Sequence, residues 1–428
     1  MKEPSDITAC FVDHGLFLPL ALKLAKTYKR VLYHTPWEKG FPLLNDCVIG
    51  DGFENLERCN DIWKVKNDVD VWIFPDIQHS GLQLELESQG RAVWGSRNGD
   101  SIEINRHKFH RVLADIGLPV PKFTTVNGLD ELRTYLSDKE DKYIKVSKYR
   151  GSFESYHWRS MDVDDIVLDV WAVRFGPLKN MMKFLVCEPI EATLEVGGDT
   201  YCVDGEWPTL MLHGDEFKDK SYLATVTKRE DMPDRIQSVL DAFSPVLKEF
   251  RYRNEWSMEL RGEFFIDPCT RGGLPSTGAQ MEIWSNLANI ILAGSHGELI
   301  EPEATEQVVA ECALSLKSEK GAWGKTRIPP ELEDACKFSN CCRIDGAICF
   351  PPDDSHGDEV GWLVVTGPTL EAVILEMKEK EKLLPEGMSA STESLYELLK
   401  KIQDGEKEGI DFGEDKIPDP IEVMEATI

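Results

Sequence analysis

The chain has 428 residues, of which 48 are lysine or arginine and 76 are aspartate or glutamate, so its formal net charge is −28. Hydrophobic residues make up 42% of the sequence, which is enough for buried cores and predicts about two to four folded domains rather than a disordered chain. A field of this sign repels duplex DNA and anionic membranes, but it leaves a small nucleotide in a local basic cleft possible.

No run of about 20 apolar residues, the length needed to cross a bilayer, occurs in the sequence. Residues 1–6 lack the basic start and apolar run of a secretory signal. The eleven cysteines include no Cys-x-x-Cys pair and are typical of reduced thiols. We therefore expect a cytoplasmic protein with no membrane partner and no duplex nucleic acid partner.

The first hundred residues alternate between strand-like and helix-like patterns. Thr8–Val12 and Arg30–His34 are strand-like and enclose leucines and alanines at helical spacing. This βαβ order predicts a Rossmann-like parallel α/β domain over residues 1–103, with ligands at the carboxyl ends of its strands. Three polar residues at such ends can contact a substrate or, alternatively, form turns and caps: Asp13, His14 and Asp76.

Residues 104–300 form the next predicted domain. Asn105 can cap an amphipathic helix, and residues 142–147 are strand-like and lead into a polar loop. A β-hairpin is predicted around Gly262, followed by a long apolar helix over residues 281–293.

Beyond residue 300, a polar linker precedes a smaller segment and a charged tail. Residues 361–366 are strand-like and Leu370–Lys382 is helix-prone. We therefore assign residues 301–428 to a linker, a small C-terminal β/α domain and a tail whose acidic side chains are typical of a solvated surface.

Two lysines are placed where they could neutralise phosphate charge. Lys108 lies on the amphipathic helix, before a Gly-Leu-Pro-Val-Pro exit. Lys145 lies in a strand, just before the loop that contains Gly151, whose amides can add hydrogen-bond donors. Taken alone, each lysine is more typical of a solvated surface charge.

An extended segment around Glu188 and Ile190 is a candidate nucleotide hinge. Its backbone can contact an adenine edge, and Glu195, seven residues after Glu188, can accept ribose hydroxyls. Taken alone, the same segment is more typical of an edge strand with two solvated glutamates.

The hairpin around Gly262 carries two carboxylates, Glu259 and Asp267, that can face each other. Converging carboxylates repel unless a hard cation lies between them, and Mg²⁺ prefers such ligands together with phosphate oxygens. Arg271 follows four residues later and can stabilise an anion that is being transferred. The alternative is two exposed strand carboxylates near a basic turn.

Taken together and in this order, these residues resemble the ATP-grasp superfamily, in particular carboxylate–amine ligases such as phosphoribosylamine–glycine ligase. The resemblance extends from about residue 95 to about residue 297. The family pattern comprises a lysine before G-(L/I)-P-V-P, a second lysine before the lid loop, hinge and ribose glutamates, and an acidic strand residue followed by E-x-N-x-R. It is matched by Lys108, Lys145, Glu188, Glu195, Glu259 and residues 267–271.

The resemblance implies an α+β ATP-grasp fold, with lid and core domains in residues 104–300 and the lid over about residues 121–184. It implies ATP and Mg²⁺ as cofactors and a ligase that activates a small carboxylate, amino acids included, as an acyl phosphate. An amine then displaces phosphate, and both substrates are small molecules. Arg271 and, in a segment where such ligases contact substrate, Lys218 are the catalytic candidates. A homodimer is left open.

Two departures from the family pattern leave alternatives open. The lid loop carries a single glycine, Gly151, and the asparagine of the magnesium motif is replaced by Cys269, whose soft thiol is a poor Mg²⁺ ligand. The alternatives are an ATP-grasp kinase without an amine acceptor and a nucleotide-binding module whose catalysis has decayed.

Overall fold

The computed structural model describes residues 2–35, 48–147, 155–191, 195–319, 321–352, 359–413 and 417–426. Gly151 lies outside these residues. In the part of the chain that is described, no helix has both the length and the apolar character needed to span a membrane. The chain divides into two compact units: unit 1 comprises Met1–Asn98, Val196–Ser257 and Cys269–Ile428, and unit 2 comprises Gly99–Glu195 and Met258–Pro268.

The helices of the described residues are α1 Leu18–Ala25, α2 Ile62–Val65, α3 Ser80–Ser88, α4 Asp100–Ile104, α5 Arg106–Asp115, α6 Leu129–Leu136, α7 Met161–Phe175, α8 Asp234–Phe250, α9 Thr277–Ile283, α10 Leu287–Ser295, α11 Pro330–Glu333, α12 Leu370–Lys382, α13 Ser394–Lys407 and α14 Pro420–Ala426. The strands are β1 Thr8–Val12, β2 Arg30–His34, β3 Leu56–Arg58, β4 Val71–Ile73, β5 Ala92–Trp94, β6 Phe123–Asn127, β7 Lys142–Val146, β8 Ser155–Trp158, β9 Lys183–Cys187, β10 Glu195–Val203, β11 Leu210–Phe217, β12 Ser221–Lys228, β13 Arg253–Arg261, β14 Phe264–Cys269, β15 Val308–Leu316, β16 Gly324–Thr326, β17 Cys336–Phe338, β18 Cys342–Ile344, β19 Ala347–Phe350, β20 Glu359–Gly367 and β21 Met388–Ala390.

The first sheet of unit 1 is parallel, with strand order β3-β2-β1-β4-β5. Its strands are apolar, as is usual for a parallel sheet that is covered on both faces. One hydrophobic cluster of buried side chains includes Cys10, Leu32, Trp72 and Val93. The strand order reverses between β1 and β4, which opens a crevice at the carboxyl ends of these two strands. The predicted βαβ opening is confirmed.

A nine-stranded sheet has the order β14-β13-β10-β11-β12-β15-β20-β17, with β21 paired to β15. Neighbouring strands from β10 to β17 in this order pair antiparallel. Helices α9 and α12 pack against β20 and β15, and α13 packs against β11. A separate three-stranded sheet has the order β16-β19-β18. The mixed α/β class predicted from the sequence is confirmed by this combination of a parallel and a large antiparallel sheet.

Unit 2 contains a four-stranded antiparallel sheet with the order β6-β9-β7-β8. Helices α6 and α7 contribute to its core, in which Leu132, Trp158, Leu168 and Phe184 are fully buried. Three of its strands lie within the predicted lid of residues 121–184 and β9 crosses the end of that range. The role of this sheet as a lid stays a prediction.

The single long helix predicted over residues 281–293 is wrong, because the structure has two helices, α9 and α10, at this point. Trp284 is extended and forms a bridge with Ala304, and Asn286 accepts a hydrogen bond from the Glu303 amide at 3.0 Å. Both helices are largely buried, so apolar residues continue across the break and hide it in the sequence pattern.

Candidate active site

Lys145 lies in the middle of β7, where strand alternation separates it from the core. Its neighbours Ile144 and Val146 are buried, so the Lys145 side chain lies on the opposite face of the strand. Its Nζ donates a hydrogen bond to the carbonyl oxygen of Ile266 in β14, at 2.9 Å. The predicted phosphate lysine is thus held against the predicted metal hairpin within unit 2.

The electrostatic surroundings of Lys145 contain both predicted metal carboxylates. Burial lowers the pKa of the Lys145 ammonium, and the nearby Arg106 guanidinium lowers it further. The Asp267 and Glu259 carboxylates act in the opposite direction. Three residues that were predicted separately, Lys145, Glu259 and Asp267, are therefore brought together.

Arg106 is a member of this cluster that the sequence reasoning missed. It is the first residue of α5, follows the Asn105 cap, is 3% exposed and forms an ion pair with Asp267. A cation at a helix N-terminus is opposed by the helix dipole, so an arginine at this position needs an acidic partner elsewhere. That position, directly after the Asn105 cap and two residues before Lys108, is the signal that could have identified it.

Lys108 lies on the same helix, and its Nζ contacts the hydroxyl of Ser101 in α4. It is half-buried. Its role as the first phosphate lysine stays a prediction.

The two hinge glutamates each have a basic partner within unit 2. Glu188 forms an ion pair of 3.0 Å with the Nζ of Lys142, and Glu195 forms one with Arg261. Ile190 is half-buried, in an irregular segment that follows β9. A ribose hydroxyl bound to Glu195 would therefore share that carboxylate with the Arg261 guanidinium.

Glu259 and Asp267 fit a magnesium ion that arrives with a nucleotide better than one held by the protein alone. The residues that the structure describes contain no group of three or more His, Cys, Asp or Glu side chains arranged to hold a metal. Mg²⁺ commonly uses one or two carboxylates and completes its octahedron with water and substrate phosphates. Asp267 already bonds Arg106, so an ion there would share this carboxylate or displace the guanidinium.

In unit 1, the segment after β14 carries Arg271 beside Cys269. The Cys269 thiol donates a weak hydrogen bond to the Arg271 carbonyl at 3.8 Å. Arg271 Nη1 donates to the Gly272 carbonyl at 2.8 Å, and its Nε lies 3.7 Å from an oxygen of Asp76, so the guanidinium is anchored at the carboxyl end of β4. Lys218 lies in the exposed turn between β11 and β12, and its role stays a prediction.

Asp13 serves the fold of the β1–α1 turn. Its Oδ2 accepts hydrogen bonds from the amides of Gly15 and Phe17, at 3.1 and 2.9 Å, and from the Tyr33 hydroxyl at 2.5 Å. Burial raises the pKa of this carboxyl. These contacts support the capping alternative for Asp13 rather than substrate binding.

His14 and His79 meet at the crevice between β1 and β4. Their Nε2 atoms are 3.1 Å apart, which is hydrogen-bond distance, and their rings are stacked with centroids 5.2 Å apart, so an N–H on either ring can donate a hydrogen bond to the other. Gln78 and His79 both have left-handed backbones, with φ of 77° and 55°, which non-glycine residues rarely adopt. His79 was missed, because its relation to His14 depends on the strand order.

Three buried acids, which we call the acidic network, lie around the segment that begins at Arg271: Asp199, Glu255 and Glu311. Asp199 accepts a hydrogen bond from the Tyr222 hydroxyl at 2.5 Å. Glu255 accepts one from the Thr277 hydroxyl at 2.8 Å, and Glu311 accepts one from the Ala279 amide at 2.8 Å. Burial raises the pKa of Glu255 to about 7 and that of Glu311 to about 8. Glu311 is the only charged residue in β15, which is the signal that could have found it.

No protein-family model and no curated protein sequence matches the chain. Solved structures do match. Phosphoribosylamine–glycine ligase from Thermotoga maritima has a TM-score of 0.65 at 14% identity, covering 90% of this chain and 99% of that one. The biotin carboxylase domain of Hydrogenobacter thermophilus 2-oxoglutarate carboxylase, solved with MgADP and bicarbonate, has a TM-score of 0.61 at 10% identity, covering 96% of each chain.

The L-amino acid ligase from Bacillus licheniformis has a TM-score of 0.57 at 13% identity, covering 90% of this chain and 98% of that one. The fold of this chain is the ATP-grasp fold of these ligases and carboxylases, and the predicted resemblance is confirmed at the level of the fold. At identities of 10–14% the likeness establishes the fold alone.

Proposed function

We propose that this chain is an ATP-dependent ligase that activates a small carboxylate as an acyl phosphate and joins it to an amine. The observation that carries the proposal is the cluster in unit 2, where the Lys145 ammonium lies among Arg106, Glu259 and Asp267. Cations beside a pair of carboxylates suit a nucleotide phosphate that arrives with a divalent cation. The ATP-grasp fold supports the same assignment.

The reaction has two group transfers. A carboxylate oxygen attacks the γ-phosphorus, and the bond to the β–γ bridging oxygen breaks so that ADP leaves with the electron pair. The amine nitrogen then attacks the carbonyl carbon of the acyl phosphate. The carbon–oxygen bond breaks, inorganic phosphate leaves, and the nitrogen loses a proton.

The chain's residues can serve these steps through charge. The Lys145 ammonium neutralises phosphate oxygens, and the Arg271 guanidinium stabilises the acyl phosphate and the tetrahedral state that follows it. Glu259 and Asp267 would hold Mg²⁺, which when bound supplies further neutralisation of the phosphate charge. The predicted lid over residues 121–184 would exclude water that hydrolyses the acyl phosphate.

The crevice between β1 and β4 is the proposed site for the second substrate. Asp76 lies beside Arg271 at the end of β4, and the His14–His79 pair lies at the same edge of the parallel sheet. A carboxylate can hold an ammonium group, and a neutral imidazole nitrogen can accept the proton that the amine must lose. A small amine, amino acids included, fits this chemistry.

Hydroxylamine trapping tests the proposal. Purified protein with ATP, magnesium, a mixture of small carboxylic acids and hydroxylamine should form hydroxamate together with ADP. Lys145→Met should lower hydroxamate formation by about 100-fold, because a charge that stabilises the transition state is lost. Lys139→Met is the matched control, since Lys139 is a surface lysine paired with Asp138, and it should retain activity.

ADP release without hydroxamate, and with transfer of phosphate to a stable ester, would instead identify a kinase. A decayed nucleotide-binding module has specific support in Cys269, which replaces the family's asparagine, and in the occupation of Asp267 by Arg106. That alternative predicts ATP binding without turnover, unchanged by Asp267→Ala.

A further inference from the structure

Arg106 binds one of the two carboxylates that the proposed magnesium site would use. Its Nη1 donates a hydrogen bond to Asp267, and the two side chains form an ion pair within unit 2. The Arg106 side chain is 3% exposed, whereas the Asp267 side chain is 42% exposed. The carboxylate is therefore accessible to an ion from solvent, while the guanidinium beside it is enclosed by the protein.

The local structure fixes Arg106 in this position. It is the first residue of α5, and its amide donates a hydrogen bond to the Ser147 hydroxyl, just beyond β7, at 3.2 Å. The dipole of α5 disfavours a cation at the helix N-terminus. The negative charge of Asp267 compensates for this unfavourable position, so the guanidinium depends on an anionic partner.

The charges of the cluster are balanced before any metal binds. Lys145 and Arg106 are two cations, and they lie among two carboxylates, Glu259 and Asp267. A divalent cation bound here alone would leave two positive charges unbalanced among these four side chains and the ion. The electrostatic energy of the cluster therefore opposes a metal that arrives without an anion.

A metal could reach Asp267 in two ways, and Arg106 opposes both. If the metal shared the carboxylate, it would lie next to the guanidinium and be repelled by it. If the metal displaced the guanidinium, Arg106 would lose its carboxylate partner in a buried position, which is costly. Both routes become favourable when a second anion binds Arg106.

Nucleotide phosphates have the chemistry of that second anion. Two phosphate oxygens match the planar donors of a guanidinium, and further phosphate oxygens complete the coordination of Mg²⁺. A di- or triphosphate therefore supplies a new partner for Arg106 and ligands for the metal in the same event.

We propose that Arg106 makes metal binding at Asp267 conditional on nucleotide: its guanidinium opposes Mg²⁺ until a nucleotide phosphate replaces Asp267 as its partner. This inference rests on the proposed nucleotide and metal site, but it involves neither the carboxylate substrate nor the amine. The coupling is reciprocal, so the metal also strengthens the binding of nucleotide.

Titration with Mn²⁺ in the absence of nucleotide, followed by electron paramagnetic resonance, tests the first half of the proposal. Mn²⁺ takes the same oxygen ligands as Mg²⁺. Arg106→Gln removes the positive charge but keeps an N–H that can donate to Asp267. It should bind Mn²⁺ about 10-fold or more tightly than wild type, within the usual range of coupling between sites. Adding Asp267→Asn to this variant should abolish the gain.

Two further variants separate charge from structure. Arg106→Lys keeps the positive charge, so its affinity for Mn²⁺ should stay as low as that of wild type. Arg111→Gln is the matched control, since Arg111 is an exposed arginine on the same helix, and it should also behave as wild type does. Circular dichroism and thermal unfolding establish that each variant is folded.

Calorimetry with ADP tests the second half. In wild type, ADP should bind more tightly with Mg²⁺ than with EDTA, and this ratio of affinities should be smaller in Arg106→Gln. These binding measurements need no turnover, so a failed hydroxamate assay would leave them unaffected, and a failed metal titration would leave the ligase assignment standing.

Three results would overturn the role of Arg106. The first is a wild-type chain that binds Mn²⁺ as tightly without ADP as Arg106→Gln does. The second is a gain of affinity in Arg106→Lys equal to that in Arg106→Gln, because charge would then not be the cause. The third is a ratio of ADP affinities that Arg106→Gln leaves unchanged.

Discussion

Glu255 is a carboxyl group that the fold holds in a buried position beside Arg271. Burial raises its pKa to about 7 and the nearby Asp199 adds to this, while the hydrogen bond from Thr277 and the charge of Arg271 oppose the shift. Between the ordinary value of 4.5 and about pH 7, the folded chain keeps a proton on Glu255 that the unfolded chain has lost. The contribution of protonated Glu255 to the free energy of unfolding is therefore largest below pH 4.5 and is lost as the pH rises to about 7.

The variant Glu255→Gln tests this sign. Glutamine keeps an oxygen that can accept the Thr277 hydrogen bond but cannot ionise. The free energy of unfolding of the variant, relative to wild type, should rise by up to about 3 kcal/mol between pH 4.5 and 7.5. Urea unfolding at a series of pH values measures the difference, with Glu263→Gln in the exposed hairpin turn as the control. Parallel stability curves for Glu255→Gln and wild type would contradict the raised pKa.

Local motifs identified the residues whose chemistry is visible along the chain. Lys145, Glu259 and Asp267 are recognisable from their strands and spacing, and the structure brings them together. Arg106 is not recognisable in this way, because its partner Asp267 is 161 residues away. The His14–His79 contact likewise spans 65 residues and depends on which strands are neighbours. Partners at such distances follow from topology, which local sequence patterns do not specify.

At the scale of the element, the segment after β14 is held by close packing at Gly272. A Cβ atom at this position would lie 2.4 Å from the Thr277 hydroxyl, 2.5 Å from the Phe17 ring and 2.9 Å from a carboxylate oxygen of Glu255. All three distances are shorter than a van der Waals contact. The amide of Gly272 also donates to the Pro75 carbonyl at 3.2 Å, which ties the segment to the end of β4.

Gly272→Ala should therefore lower the free energy of unfolding by about 1 to 3 kcal/mol, the usual cost of overpacking. It should also lower hydroxamate formation, because Arg271 is the preceding residue. Gly81→Ala in α3 is the matched control: a Cβ there meets nothing within 4 Å, and the change should stabilise the chain by about 0.5 to 1 kcal/mol. Thermal and urea unfolding measure both variants. Equal stability of the two would contradict the packing described for Gly272.

Element types were predictable where one period dominates. Strands β1 and β2 and helix α12 begin and end at the residues predicted from their sequence patterns. The break between α9 and α10 was not predictable, since both helices are buried and the signal lies in pairing with residues 303–305. The order of the nine-stranded sheet was not predictable either, because it joins strands such as β12 and β15 that are far apart in sequence.

For the whole molecule, the charge of −28 and the proposed chemistry belong to different regions. In unit 2, Lys145 and Arg106 offset the charges of Glu259 and Asp267, so these four side chains have no net formal charge although the whole chain is strongly acidic. The fold has TM-scores of 0.57–0.65 to ligases and a carboxylase that share only 10–14% of its residues. Core packing and topology thus persist while side chains vary, and the specific substrate depends on those side chains.

Transfer of oxygen from the carboxylate to phosphate tests the central claim most directly. Small carboxylic acids, amino acids included, are labelled with ¹⁸O in their carboxylates and incubated with the protein, ATP, magnesium and a mixture of amines. An acyl phosphate requires one carboxylate oxygen to leave with the phosphorus, so the inorganic phosphate released with ADP should carry ¹⁸O by mass spectrometry. Release of ADP with phosphate that contains no ¹⁸O would contradict an acyl phosphate ligase.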